Sequence, residues 1–161
     1  MKFIRKISML FVFVFCIGVM TSCIGKGSGS KVTMSADEIY QTAVKGIELG
    51  NVEKISPSEL SALTGIKSTD FDDVAVYVSV VNIKANEMGV FKFSSDEQSK
   101  EIDKAIDKRL KDLDATWKIY LPDQYELVKD AKKFSFGNFK GYVISEDASK
   151  IISKLESIVN K

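Results

Sequence analysis

Ten consecutive residues, Val74-Ala-Val-Tyr-Val-Ser-Val-Val-Asn-Ile83, constrain this chain most. Six of them are valine or isoleucine, whose branched Cβ suits extended backbone and crowds a helix. Successive strand side chains point to opposite faces, and here apolar residues fall on both. A strand with one wetted face would alternate apolar with polar, so the run predicts a central strand covered on both sides. Lys84 to Asn86 reads as a turn, and Met88-Gly-Val-Phe-Lys-Phe93 as the paired strand. Lys133-Phe-Ser-Phe136 and Phe139-Lys-Gly-Tyr-Val-Ile144 flank Gly137-Asn138, the signature of a second hairpin.

Helices separate these hairpins. Ser35-Ala-Asp-Glu38 and Ser56-Pro-Ser-Glu59 are capping boxes, in which serine and glutamate side chains satisfy orphan amides. After the first, Ile39, Ala43 and Ile47 recur every four residues, and Gly50 is a plausible stop. After the second, Leu60 and Leu63 face inward and Gly65 ends a short helix. Ser95 caps a longer helix with Ile102, Ile106, Leu110, Leu113 and Trp117 along one stripe. Tyr120-Leu121-Pro122 breaks it, and Asp123 to Val128 allows one more turn. Ser145 caps a last helix carrying Ile151, Ile152, Leu155, Ile158 and Val159. The order predicts an α+β fold: an antiparallel sheet of about four strands made of two ββα-like units, preceded by an N-terminal helix. Its helices are expected to pack on one face of the sheet. Residues 35–161 are enough to fold as one domain.

The first thirty residues read differently. Met1-Lys-Phe-Ile-Arg-Lys6 is basic, and Ile7 to Met20 is almost wholly apolar. Those 14 residues would rise only about 21 Å as a helix, short of the roughly 30 Å hydrocarbon core. They therefore read as the apolar region of a secretory signal. Met20-Thr21-Ser22-Cys23 resembles a bacterial lipobox, with Met20 and Ser22 as tolerated substitutes for the commonest residues. The resemblance implies a diacylglyceryl group on the Cys23 thiol and cleavage before it. Two acyl chains hold a protein on a membrane stably, whereas one holds it marginally. The expected organisation is a signal peptide at 1–22, a lipidated Cys23 opening a Gly/Ser tether over 23–34, and the domain at 35–161. The Gly25-Lys-Gly-Ser-Gly29 of the tether follows no strand, so it is not a phosphate loop.

Composition then narrows the chemistry. The whole chain has 23 bases, 22 acids, two cysteines and no histidine. Cleavage would remove Lys2, Arg5, Lys6 and Cys16, leaving 20 bases against 22 acids and a net charge of −2. No Ser-His-Asp or Cys-His catalysis is available, nor a His-ligated zinc. With Cys23 committed to lipid there is no free thiol. The charge balance lacks the basic stripe that nucleic acid requires. No catalytic residue, metal site or cofactor is expected.

Three groups remain as binding candidates. Glu87, at a strand entrance, could hold a cation or an amine, or be an exposed turn carboxylate; Lys92 would point to the opposite face. Trp117, Tyr120 and Tyr125 gather at a break between elements, where they either line a pocket or close a core. Asp70, Asp72 and Asp73 lack calcium-loop spacing and read as caps or a solvated loop. The Lys/Asp/Glu run from 96 to 114 reads as a solvated helix face.

The block Asn86-Glu-Met-Gly-Val-Phe-Lys-Phe93, the charged helix after it, Tyr120-Leu-Pro122 and the late Gly-Asn-aromatic element together resemble a known set. They are similar to small bacterial lipoproteins carrying the domain of unknown function numbered four-three-five-eight, over roughly residues 36–160. That resemblance implies an extracytoplasmic domain held at the cell membrane, and brings no assigned activity. The expected function is a non-catalytic binding or adaptor domain for a protein, peptide or cell-wall ligand. The alternatives are a carboxylate-dependent cell-wall or sugar hydrolase and a self-associating envelope protein.

Overall fold

A computed structural model of the chain describes residues 32–159. The signal, Cys23 and most of the expected tether lie outside them. Ten major elements follow in order: α1 (Ala36–Val44), β1 (Val52–Lys54), α2 (Pro57–Thr64), β2 (Asp73–Ser79), β3 (Glu87–Lys92), α3 (Asp96–Tyr120), α4 (Pro122–Lys129), β4 (Lys132–Phe136), β5 (Phe139–Ile144) and α5 (Ala148–Val159). The strands form one antiparallel sheet in the order β1-β2-β3-β5-β4.

The α+β architecture with a leading helix is as the sequence indicates. The sheet has five strands rather than four, because the three-residue β1 is too short to carry a periodicity. The helices cover both faces, not one. Ala75, Met88, Val90, Phe139 and Val143 pack with α1 and α5. Val76, Phe91, Tyr142 and Ile144 pack with α2, α3 and α4 on the other side. The doubly apolar run had this consequence written into it: a strand buried on both faces needs cover on both. Each fully buried aliphatic side chain in these layers contributes about 1.5–3 kcal/mol.

The run itself stops short. β2 ends at Ser79, whose hydroxyl both accepts from the Val81 N–H and donates to the Val81 carbonyl. Val80 and Ile83 then project into solvent, 54% and 52% exposed. The expected turn at 84–86 is thus the end of a longer loop.

Capping follows the sequence closely. Ser35 and Ser56 form complete capping boxes with Glu38 and Glu59. Ser95 accepts from the Gln98 N–H, while the Gln98 carboxamide reaches back to Ser94. Gly65 closes α2 at φ 82°, and Gly137 supplies the positive φ of the two-residue β4–β5 turn. Two ends differ. α1 stops at Val44, and Ile47 packs on the core from the following loop. α5 begins at Ala148, and Ser145 precedes it, accepting from the Asp147 N–H.

On the α1 face, the Tyr40 and Tyr77 rings stack at 3.5 Å. The Tyr77 hydroxyl donates to Asp37, which also receives Lys54 at 3.0 Å. Burial foremost, then the Asp37 carboxylate, pushes the Tyr77 phenol up to about 12. A phenol whose folded pKa exceeds its unfolded value of about 10 favours the fold fully below pH 10. It loses that contribution as pH rises through the folded value. Unfolding by alkali is therefore expected to steepen between about pH 10 and 12. In Tyr77→Phe the slope of melting temperature against pH in that window should be shallower; an unchanged slope would refute this.

Candidate functional site

Glu87 opens β3 and faces α3, opposite to the exposed turn position the sequence suggested. It is 1% exposed. Arg109 meets it with a fork: Nε donates to one carboxylate oxygen at 2.8 Å and Nη2 to the other at 2.6 Å. The Tyr142 hydroxyl, from β5, donates to the same carboxylate. Glu87 thus has three donors and no free oxygen aimed at solvent. Arg109 is itself only 8% exposed. Burial opposes its charge, but the hydrogen bonds and charge of Glu87 outweigh burial and hold the guanidinium pKa above its ordinary value. Burial, reinforced by Glu87, drives the Tyr142 phenol well above its usual range.

Arg109 and Tyr142 are the functional-looking residues that the sequence reading passed over. Arg109 falls within the 96–114 stretch whose Lys/Asp/Glu run reads as a solvated helix face. Its position argues otherwise: 102, 106, 109, 113 and 117 follow the 3.6-residue helical repeat, so Arg109 sits inside the apolar stripe. All five of these positions are buried, while Leu110 is only partly so. A cation within an apolar stripe signals a buried partner, and Glu87 is that partner. The rest of the run does face water, with pairs such as Lys104–Glu101 and Lys108–Asp112. Lys140 and Lys133 of the sheet also reach it, at Asp103 and Asp107.

Lys92 lies at the other end of β3. Its ammonium donates to the carbonyl oxygens of Met34 at 2.7 Å and Thr33 at 3.3 Å, and stands 5.3 Å from the Phe139 ring centre. Asn138 accepts from the Val32 N–H at 3.0 Å. The residues expected to end the tether, Val32 to Met34, are thereby fastened to the domain. Lys92 is a clasp on the incoming chain.

The aromatic group divides. Trp117 is buried with Leu113, Ile106 and Val128, and Tyr125 packs on the edge of that core. Tyr120 stands edge-on to Trp117 at 6.0 Å and is 58% exposed. Trp117 therefore closes the core, and Tyr120 lies outside it. Asp70, Asp72 and Asp73 act locally: Asp70 accepts from the Lys67 N–H, Asp72 from Ser94, and Asp73 from the Ala36 N–H at the start of α1. Among the described residues, no group of three or more acids or cysteines is placed to hold a metal ion. No helix among them is long and apolar enough to cross a membrane.

A five-stranded antiparallel sheet clothed by helices on both faces, with a buried acid–base–phenol cluster under α3, defines an α+β domain with its polar centre turned inward. The family model described as Domain of unknown function (DUF4358) matches residues 45–145, and the chain belongs to that family. The matched span contains the entire sheet, α2, α3 and α4, and all of Glu87, Arg109 and Tyr142; α1 and α5 lie outside it. No curated protein and no solved structure matches the chain.

Proposed function

We propose that the protein is a lipoprotein of the cell membrane, held on the extracytoplasmic face through Cys23, whose domain binds a ligand or partner and catalyses no reaction. The observation that carries this reading is Met20-Thr21-Ser22-Cys23 directly after a basic start and an apolar run too short to span a bilayer. The distribution of reactive groups supports the second half. Histidine is absent from the whole sequence, and Cys16 would leave with the signal. The most buried carboxylate, Glu87, is occupied by Arg109 and Tyr142.

Cys23→Ser tests the anchor. The wild-type chain is expected to sediment with membranes and to incorporate labelled palmitate. The variant should take up no palmitate and should either leave the membrane fraction or persist as the longer, uncleaved form. A variant that fractionates, migrates and labels like the wild type would overturn the reading.

A further inference from the structure

The sheet ends at β1 on one side and at β4 on the other. Pairing parity fixes the main-chain groups that each edge presents. Gly137-Asn138 is a two-residue turn, so Phe136 and Phe139 form a hydrogen-bonded pair. Alternation then directs Lys132, Phe134 and Phe136 inward to β5, and the N–H and C=O of Lys133 and Ser135 point off the sheet. Beyond the ladder, no main-chain hydrogen bond among the described residues uses those groups. At β1, the Asn51 carbonyl accepts from the Val80 N–H and the Ile55 N–H donates to the Val76 carbonyl, so Val52 and Lys54 are the outward residues.

The two edges differ in what a two-fold axis brings together. If β1 meets its own copy antiparallel with Val52 opposite Lys54, Glu53 lies directly opposite Glu53, and like charges so placed are destabilising. β4 carries no such conflict. With the axis at Phe134, Lys133 lies opposite Ser135 of the second copy, Lys132 opposite Phe136, and Phe134 opposite Phe134. Lys133 and Ser135 of each copy then exchange their free N–H and C=O groups, which gives about four new hydrogen bonds. The side chains suit this register. Phe134 and Phe136 stack with ring centres 5.5 Å apart and are only partly buried against the α1/α5 core. The Phe134 pair is of the non-hydrogen-bonded kind, with Cα atoms about 4.5 Å apart and side chains close, and cross-strand aromatic pairs are favourable. Lysine on an edge strand ordinarily repels a second chain, but Lys133 is already paired with Asp107 across the α3 face.

We infer that β4 is a homotypic docking edge, to which a second copy of this chain adds its own β4 antiparallel and joins two five-stranded sheets into one. Charge decides between the edges, and the register decides the occupant: the same short segment supplies complementary groups to itself. Strand addition over five residues is a small contact, so confinement of both copies to one membrane, which raises their effective concentration, favours it. The clasp of Val32 on Asn138 stands at the tip of the β4–β5 turn, so each tether leaves beside this edge. The edge names the partner for the binding role proposed above, and rests on the anchor for the extent of association and not for the contact itself.

The test uses the full chain in its membranes and again in a nonionic detergent. In the paired register Ser135 and its copy are diagonal neighbours about 7–8 Å apart, within the span of a short bismaleimide. Ser135→Cys is expected to cross-link to a dimer, whereas Lys54→Cys on the β1 edge should yield no more dimer than the wild-type chain. Two differently tagged copies should also co-purify. Ser135→Lys, which sets lysine opposite Lys133 of the second copy, should lower that co-purification about fivefold or more. Ser135→Pro, which removes an outward N–H and leaves the β5 ladder intact, should do the same. Ser135→Lys only adds charge to an exposed side chain, so its melting temperature should stay that of the wild type. Cross-linking of Ser135→Cys no greater than that of Lys54→Cys would overturn the inference, as would undiminished co-purification of Ser135→Lys. Cross-linking through Ser135 in a chain that fails the palmitate and fractionation tests would keep the edge and remove the anchor; an anchored chain that does not cross-link would do the reverse.

Discussion

Arg109→Ala is expected to lower the unfolding free energy by about 3–5 kcal/mol, the usual cost of stripping one partner from a buried ion pair. For a domain of this size that corresponds to a fall of roughly 10–20 °C in melting temperature. The argument lies in what stays behind. Glu87 would keep the Tyr142 hydroxyl as its one side-chain partner while remaining sealed under α3. A carboxylate so placed must either stay charged without its counter-ion or take up a proton. The attraction in the intact pair does not itself make the domain stable, because desolvating two ions costs about as much as the pairing returns. A triple replacement, Glu87→Leu, Arg109→Met and Tyr142→Phe, is therefore expected to recover most of the loss while each of the first two single changes does not. Thermal melts followed by circular dichroism would decide it. A single Arg109→Ala variant within about 1 kcal/mol of wild type would show that the guanidinium is not buried as described.

How much of this was legible beforehand depends on which interactions are local. The helix starts at Ser35, Ser56 and Ser95 rest on contacts between residues three apart, so the sequence displays them. The β4–β5 hairpin is equally local, since Gly137-Asn138 sits directly between its strands. β1 is held by pairing with β2, with Glu53 opposite Val78, and nothing within Val52–Lys54 announces that. Glu87 and Arg109 are 22 residues apart and Tyr142 is 55 from Glu87. Their meeting depends on α3 lying across the sheet, which no window of sequence contains. The stripe position of Arg109 was the one visible trace. The exposed valine and isoleucine of the β2–β3 loop misled for a related reason: their β-propensity reads as strand, and only the Ser79 turn shows that the strand has already ended.

Gly141→Ala is expected to be the most damaging conservative change in the sheet. Gly141 lies in β5 opposite Val90 of β3 and Phe134 of β4. A Cβ there would overlap the carbonyl oxygen of Gly89 and lie 2.8 Å from Cε1 of Phe134. The first obstacle is backbone in the middle of a ladder, so no rotamer change relieves it, and the strands must separate. The Phe134 ring already fills the space above the glycine, and swinging it out would open the α1/α5 side of the core. Overpacking of this kind costs about 1–3 kcal/mol when side chains can yield, and more when they cannot. Gly89 makes the companion case on the opposite face. An added Cβ would come within 2.6 Å of Cε1 of Tyr142 and 3.1 Å of Cε2 of Phe91. Both obstacles there are rings, so Gly89→Ala should cost less than Gly141→Ala. It should carry a second signature, because displacing the Tyr142 ring pulls its hydroxyl from Glu87. Combined with Tyr142→Ala, which removes the ring, Gly89→Ala should become nearly neutral, whereas Gly141→Ala should keep its full penalty in the same background. Urea unfolding midpoints of the three single and two double variants would measure this. A Gly141→Ala chain as stable as wild type would mean that β3 and β5 are not registered as described.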